Sequence, residues 1–404
     1  MAPPAERFVT PSAAGFALSL VVPSAAVAHK YAGVAGMTVY VVLASLALLA
    51  LHRRYFSRLV STLTGGQAIS LAAGLVLALT VLFLVGYPIA NSGLVGAGSD
   101  RDDALNIATT ELLEGRFPYY QRTYHGNPIS PLPGALVLAI PFVWLGNSAY
   151  QNLFWLVALM ATVSRLLNDP RPAVILLVII FALSPAVLNE FVTGGDLLAN
   201  AIYVLLFLVW STSAAADARA SPWTKGILAA GLGLALASRG HFALLLPLAC
   251  AAVVQRIGMR AAIPYAALVC VAFTLATVPL YLYDPAGFSP LHTASFAPLP
   301  VLGASALLAV IYATRPRNDD LHVLLARCAV VLAFPVVASA VTTLSAPGSD
   351  TGLTLWVLSY NLSGLFFAAV AVMPRTANGW PTPCQRNGNT LALVNATPSR
   401  RPTS

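Results

Sequence analysis

Charged residues are scarce in this chain of 404 residues, and their scarcity decides its class. Asp, Glu, Lys and Arg make up only 9% of the sequence, whereas hydrophobic residues make up 58% and the mean hydropathy is +0.78. Soluble globular domains are about 25% charged. The sequence also lacks stretches of alternating polar and apolar residues, which excludes a membrane β-barrel. We therefore predict an all-α polytopic membrane protein.

Cysteine motifs and internal repeats are also missing. The four cysteines form no Cys-x-x-Cys pair, so the sequence indicates neither a disulfide nor a zinc site. No repeat is visible, although inverted repeats mark many transporters. A net charge of +8 would suggest a nucleic-acid partner in a soluble protein. Here basic loops that orient membrane spans explain it, and we predict no nucleic-acid partner.

Apolar runs near the length of a bilayer span recur along the whole chain. A thirteenth run, residues 129–146 (ISPLPGALVLAIPFVWLG), begins among Pro128, Pro131 and Pro133. These prolines predict a re-entrant or interfacial segment rather than a full crossing. The predicted twelve spans lie near 11–28, 33–51, 67–90, 149–166, 172–188, 196–213, 225–238, 241–255, 261–282, 297–313, 321–343 and 352–373.

The positions of the basic residues predict the orientation of the spans. If both termini are cytoplasmic and 129–146 does not cross, 17 of the 22 Lys and Arg residues lie inside, and nine of the 14 acidic residues lie outside. We predict one multi-span domain over 1–373 with a main external loop at 91–148, and a disordered basic tail at 374–404. Richness in Ala, Arg and Pro suggests a bacterial genome and hence the bacterial plasma membrane. The five external basic residues are Lys30, Arg101, Arg116, Arg122 and Arg239.

Carboxylates gather in one stretch, GAGSDRDDALNIATTELLEGRFPYY at 96–120, which holds five of the 14 acidic residues. The apolar spacing in this stretch predicts a short external amphipathic helix over 102–114 that lies along the membrane surface. Gly115 is a natural helix stop. The predicted apolar face contains Ala104, Leu105, Ala108 and Leu112.

Two explanations fit the cluster of Asp100, Asp102 and Asp103. Ser99 and these aspartates stand where an N-cap and first-turn acids stabilise a helix start. Alternatively, three carboxylates in four positions repel one another and raise the pKa of at least one of them when partly desolvated. Such a raised pKa is typical of acid–base sites.

The stretch DDALNIATTELLEGRFPYY, followed by GNPISPLPGALVLAIPF, resembles the first external loop of the GT-C superfamily. These integral-membrane glycosyltransferases take sugars from polyprenyl-phosphate donors. The shared features are an aspartate 13 residues before a glycine, Leu-Leu-x-Gly, Pro-Tyr and a proline-rich segment. Two later stretches resemble further family segments: SPAVLNEFVTGGDLLANAIYVLLFLVW, with Asp196, and GLGLALASRGHFALLLPL, with Arg239. The chain departs from the pattern at Asp103, where a hydrophobic residue often stands.

The resemblance implies transfer of a sugar to an envelope glycolipid or glycan on the outer face of the membrane, with inversion. Asp102 is expected to be the general base, with Asp103 as the alternative. Arg239 is expected to stabilise the departing phosphate, and Asp196 to position either Arg239 or the acceptor. The implied partners are a polyprenyl-phosphate sugar donor, a lipid or glycan acceptor, and membrane lipids.

Further substrate contacts are expected from Asp100, His241, Tyr119 and His125. Each has a structural alternative: a helix cap, a packed histidine or an interfacial aromatic belt. Likewise, Arg239 could snorkel and Asp196 could cap a helix, while Glu190 and Asp284 would only mark span ends. We predict no essential cofactor, although DRDD could hold a divalent cation through oxygen ligands. A transporter or lipid flippase and a non-enzymatic envelope scaffold are the alternative functions.

Overall fold

The computed structural model describes residues 11–51, 56–94, 98–293, 297–345, 354 and 357–373. Throughout this part of the chain the secondary structure is helical, and one isolated bridge, between Arg122 and Pro128, is the only β-type pairing. The predicted disordered tail at 374–404 lies outside the described residues.

Sixteen α-helices and two short 3-10 segments make up the described fold. The 3-10 segments are Ser148–Tyr150 and Gly240–Leu245. The α-helices are α1 (Pro11–Ala50), α2 (Phe56–Thr62), α3 (Gly65–Ala90), α4 (Arg101–Leu113), α5 (Pro133–Trp144), α6 (Gln151–Leu167), α7 (Pro170–Leu183), α8 (Pro185–Val192), α9 (Leu197–Ala216), α10 (Pro222–Leu236), α11 (Leu246–Ile257), α12 (Met259–Tyr283), α13 (Ser289–Thr293), α14 (Leu299–Thr314), α15 (Leu321–Leu344) and α16 (Leu362–Ala371).

Among the described residues, six helices are long and apolar enough to cross a membrane, or up to eight if each of two bent helix pairs is one span. This supports a multi-pass membrane protein, but it does not confirm the predicted count of twelve spans. Several predicted spans are shorter than the roughly 20 residues of a full crossing. For example, α10 has 15 residues and α14 has 16.

The first helix folds back on itself. Its backbone leaves helical geometry at Gly33, where φ is 64° and ψ is −165°. Residues 13–17 and 45–51, from its two ends, line one cavity of about 380 Å³. In a straight helix residues 13 and 51 would be about 57 Å apart. The two arms of α1 therefore lie side by side, and the turn at Gly33 falls on the first residue of the second of the two apolar runs that the sequence predicts as separate spans.

The external loops of the predicted topology meet at one end of the helix bundle. Arg101, the first residue of α4, pairs with Glu190 near the end of α8, and Asp196 pairs with Arg239. We call this the acidic end and define it by Asp102, Glu190 and Asp196. Because Arg101 and Glu190 touch, the chain between them crosses the bundle an even number of times. This agrees with a segment 129–146 that does not cross.

Residues that the topology predicts as cytoplasmic also contact one another. Arg171 donates to the carbonyl oxygen of Leu63 at 3.3 Å. Arg256 donates to the carbonyl oxygens of Thr212 at 3.1 Å and Asp319 at 2.8 Å. These contacts bring Arg171 together with the loop that holds Leu63, and Arg256 together with the end of α9 and the loop that holds Asp319, while the orientation of the spans stays a prediction.

Segment 129–146 forms the short helix α5, which is bent by 99° from the segment Ser148–Leu167. Its 12 residues span about 18 Å, less than the hydrocarbon core of about 30 Å. Its start is fixed to the end of α10, because the Leu132 and Gly134 amides donate to the carbonyl oxygens of Ser238 and Ala237 at 3.0 and 2.8 Å. This segment supports α4 at the acidic end.

The close contact at Gly134 gives a stability prediction. A Cβ atom there would overlap the carbonyl oxygen of Leu234 and lie 2.6 Å from the carbonyl carbon of Ala237. We expect Gly134→Ala to destabilise the protein by about 1–3 kcal/mol, measured by thermal unfolding in detergent. Gly66→Ala is the control, since nothing lies within 4 Å of a Cβ there. Equal effects of the two changes would contradict the described packing of α5.

Candidate functional site

Helix α4 carries the aspartates of the candidate site. It spans Arg101–Leu113, which confirms the helix predicted at 102–114, and it ends before Gly115, whose φ is 72°. Ala104, Leu105 and Ala108 are buried in a cluster with residues of α5. The apolar face of α4 is therefore covered by α5 and its neighbours, and the position of this helix along the membrane surface stays a prediction.

The three aspartates point to different partners. Asp100 Oδ2 accepts hydrogen bonds from Thr123 Oγ1 at 2.6 Å and Asn127 Nδ2 at 2.8 Å. Asp103 Oδ2 accepts from the Tyr124 amide at 2.9 Å. Asp100 occupies the N-cap position, but its carboxylate makes no capping hydrogen bond. Asp100 and Asp103 instead fasten the following loop to the start of α4.

Asp102 faces the protein interior and is only 5% exposed. Its Oδ2 accepts a hydrogen bond from Tyr87 Oη at 2.5 Å, and Asn147 Nδ2 donates to the same hydroxyl at 2.7 Å. Since the tyrosine oxygen already accepts from Asn147, its single proton is directed at Asp102. Asp102 Oδ1 is buried and has no hydrogen-bond partner among the described residues.

These surroundings shift the pKa values of the neighbouring carboxyls in opposite directions. Burial raises the pKa of Asp102 to about 6, although the Tyr87 hydrogen bond partly opposes the rise. Burial would also raise the pKa of Asp100, but hydrogen bonds from Thr123 and Asn127 hold it below its usual value. Asp102 is thus ionised at neutral pH yet titrates close to it, which suits a general base.

A second buried group joins Asp196, before α9, to Arg239, after α10. Arg239 Nη2 donates to both carboxylate oxygens at 2.6 Å, and Asp196 is fully buried. Asn200 Nδ2 donates to Asp196 Oδ2 at 2.9 Å, and Arg239 Nη1 donates to Ser130 Oγ at 3.1 Å. Arg239 Nε has no partner in the described part of the chain.

This pairing matches the predicted geometry, in which Asp196 positions Arg239. Two alternatives do not match. Asp196 stands at the N-cap of α9 but makes no side-chain capping bond. Arg239 is 6% exposed and therefore does not snorkel to water.

Glu190 is more than the marker of a span end that the sequence suggests. It is 3% exposed, its Oε2 lies 2.7 Å from Arg101 Nη1, and its Oε1 accepts from the Leu197 amide at 3.0 Å. The Arg101 guanidinium also stacks 5.3 Å from the ring centroid of Tyr360. A Cβ at Gly195 would overlap the Glu190 carboxylate, which explains the glycine there. Glu190 therefore ties α4 to the loop before α9.

The loop at 193–196 brings Asp102 close to the Asp196–Arg239 pair. Gly194 has a φ of 74°, and a Cβ there would lie 3.3 Å from Asp102 Cβ. Gly194 is two residues from Asp196. The residues predicted as base and cation thus lie at the same end of the fold.

The remaining predicted substrate contacts differ in exposure. Tyr119 is buried, donates to the carbonyl oxygen of Pro131 at 3.2 Å and packs edge-on against Phe288. His241 is buried, and its Nε2 lies 2.9 Å from Ser363 Oγ. These contacts are structural and do not support direct substrate binding by Tyr119 or His241. His125 is exposed, so its contact with substrate stays a prediction.

The aspartates do not form a cation site in the described residues. Their partners draw them apart, and no group of three or more His, Cys, Asp or Glu side chains in the described ranges could hold a metal ion. A divalent cation at DRDD therefore gains no support from the geometry. The absence of an essential cofactor stays a prediction.

Tyr87, Asn147 and Arg101 are the members of the site that the sequence did not single out. Tyr87 near the end of a span fits an ordinary interfacial tyrosine. Asn147 stands beside Ser148 in the short gap between two apolar runs, and nothing in that gap indicates a contact with Tyr87. No family model, curated protein or solved structure matches this chain. The arrangement of the acidic end therefore carries the functional argument.

Proposed function

We propose that this chain is an integral-membrane glycosyltransferase of the GT-C type. It would transfer a sugar from a polyprenyl-phosphate donor to a lipid or glycan acceptor at the outer face of the bacterial plasma membrane. The observation that carries the proposal is Asp102: a buried carboxylate with a pKa of about 6, one oxygen held by Tyr87 and the other without a partner in the described structure. The sequence resemblance supports the same assignment.

In the proposed reaction Asp102 acts as the general base. Its free Oδ1 takes the proton from the acceptor hydroxyl as that oxygen attacks the anomeric carbon of the donor sugar. The bond between this carbon and the phosphate oxygen breaks, and the phosphate leaves with the electron pair. One displacement inverts the anomeric configuration. General-base catalysis of this kind contributes about 10²–10⁴ in rate.

Arg239 is the proposed cation for the departing phosphate. Its Nε–H is the donor that the described contacts leave open, while Asp196 neutralises its charge. Glu190 does the same for Arg101. A buried guanidinium without a carboxylate would be costly, so Asp196 stabilises the buried Arg239 in the absence of the phosphate. Asp103, engaged by the Tyr124 amide, is the weaker candidate for the base.

A transporter or lipid flippase is the second candidate, because two helix pairs are sharply bent. The pair α7–α8 is bent by 90°, in addition to the 99° bend after α5. Discontinuous helices line the binding sites of many transporters near the bilayer midplane. Here, however, the buried charges lie where α9 begins and α10 ends, which favours a site at the bundle end.

Reconstitution tests the two functions against each other. We expect the purified full-length chain in proteoliposomes to transfer mannose or arabinose from polyprenyl phosphate to envelope lipid extract, with the product detected by mass spectrometry. Solute counterflow without any glycosyl product would instead support a transporter.

Removal of the Tyr87 hydroxyl tests whether its hydrogen bond lowers the pKa of Asp102. Transfer should rise with pH through the Asp102 pKa of about 6, because only the carboxylate accepts a proton. Tyr87→Phe removes a hydrogen bond that favours the carboxylate, so we expect this acidic limb to move up by about one pH unit. Initial rates between pH 5 and 9 measure the shift. If the acidic limb of the pH–rate profile did not move, Tyr87 would have no influence on the pKa of Asp102.

A further inference from the structure

A cleft of about 420 Å³, lined by both polar and apolar groups, opens at the acidic end. Its walls come from the turn of α1, the start of α4, helix α8 and the residues around the start of α16. The volume lies in the range of small-molecule sites, about 300–1,000 Å³. The ionisable or amide-bearing lining residues are His29, Lys30, Asp100, Arg101, Asn189 and Glu190.

The charges in the cleft wall are balanced. Lys30 and Arg101 supply two positive charges, and Asp100 and Glu190 supply two negative ones. Arg101 is committed to Glu190 at 2.7 Å. A phosphate group entering this cleft would meet two carboxylates, which repel it. The balance therefore favours a neutral polar ligand.

The lining combines hydrogen-bonding groups with apolar groups. The Asn189 carboxamide donates and accepts, the carboxylates accept, and Lys30 donates. Apolar surface comes from Val27 and Leu362, which line the same cleft. A sugar ring carries both kinds of group that this lining can contact. Its hydroxyl groups donate and accept hydrogen bonds, and its C–H groups form apolar patches.

The wall of the cleft passes close to the proposed base, although the Asp102 side chain is not itself part of that wall. Arg101, in the wall, directly precedes Asp102, and the lining residue Thr193 precedes Gly194, which faces Asp102 Cβ. We propose that this cleft binds a neutral saccharide, and that this saccharide is the acceptor of the transfer reaction. The role of this saccharide as acceptor rests on the proposed function, whereas saccharide binding itself rests on the cleft alone.

Binding without donor tests the cleft separately from catalysis. The probes are methyl α-mannopyranoside, methyl α-arabinofuranoside, trehalose and isomaltose, added to the full-length chain in nanodiscs and followed by ligand-observed NMR. We expect at least one to bind to the parent. Asn189→Ala should weaken it roughly five- to tenfold, the effect of one lost hydrogen bond. Gln121→Ala, which removes an exposed carboxamide outside the cleft, is the control.

Each outcome decides the proposal. Saccharide binding that weakens in Asn189→Ala but not in Gln121→Ala supports it, even if the parent transfers no sugar. Failure of all four probes to bind, or equal binding by the two variants, overturns it. Displacement of the saccharide by equimolar inorganic phosphate would also overturn it, since the cleft would then be an anion site. A parent that transfers sugar with an acceptor KM unchanged in Asn189→Ala would refute the cleft and leave the proposed function standing.

Discussion

Replacing Asp102 by asparagine is expected to slow sugar transfer by about 10²–10⁴-fold, the usual contribution of a general base, while making the protein more stable. The carboxyl has a folded-state pKa of about 6 against 3.8 for the free group, because it is buried. A raised acid pKa means that the parent loses stability as pH rises from about 4 through 6. Asparagine stays neutral throughout, so at pH 7 it avoids a cost of up to about 3 kcal/mol.

Thermal unfolding of the parent and Asp102→Asn at pH 4 and pH 7, beside transfer assays, measures both effects. The stability gain should be present at pH 7 and vanish at pH 4. Asp103→Asn is the matched control, since Asp103 accepts a backbone hydrogen bond and is expected to retain most activity. Parental transfer rates in both variants would refute the assignment of the base.

The second large effect is expected from Arg239→Gln, which leaves the fully buried Asp196 without its charge partner. Breaking one side of a buried ion pair costs about 3–5 kcal/mol. Asp196→Asn combined with Arg239→Gln removes both charges, so the double variant should lose less stability than Arg239→Gln alone.

A surface pair provides the control for this comparison. Arg116 Nε lies 2.6 Å from Glu111 Oε2, but the arginine side chain is 55% exposed. Arg116→Gln should therefore destabilise the protein far less than Arg239→Gln. Unfolding midpoints in detergent give the comparison. If Arg239→Gln were no more harmful than Arg116→Gln, the buried pair would not hold the acidic end together.

Helices that continue through a whole apolar run were predictable from the sequence, whereas the division of one apolar run into two helices was not. The predicted runs at 67–90 and 321–343 correspond closely to α3 and α15, because each run is mostly apolar and the helix continues through its one internal proline. The run at 172–188 is instead divided into α7 and α8 at Ser184. Pro185 permits a new helix start there, and Ser184 Oγ contacts Ser24 Oγ at 2.8 Å. That long-range contact has no local sequence signal.

The candidate site, too, could be predicted from the sequence only in part. Apolar spacing placed α4 correctly, and the resemblance brought Asp102, Asp196 and Arg239 forward. The sequence could not separate Asp102 from Asp103, because adjacent residues of a helix point about 100° apart and their partners decide their roles. Asp102 meets Tyr87, and Asp103 meets Tyr124. Pairing of Arg101 with Glu190, 89 positions along the chain, likewise depends on the fold.

Mass spectrometry of envelope glycolipids from cells that lack this protein tests the central claim most directly. We predict a glycolipid or glycan one sugar short of its normal form, restored by the parent chain but not by Asp102→Asn. An envelope with an unchanged glycan profile in the deletion strain, or full restoration by Asp102→Asn, would contradict sugar transfer through this carboxylate.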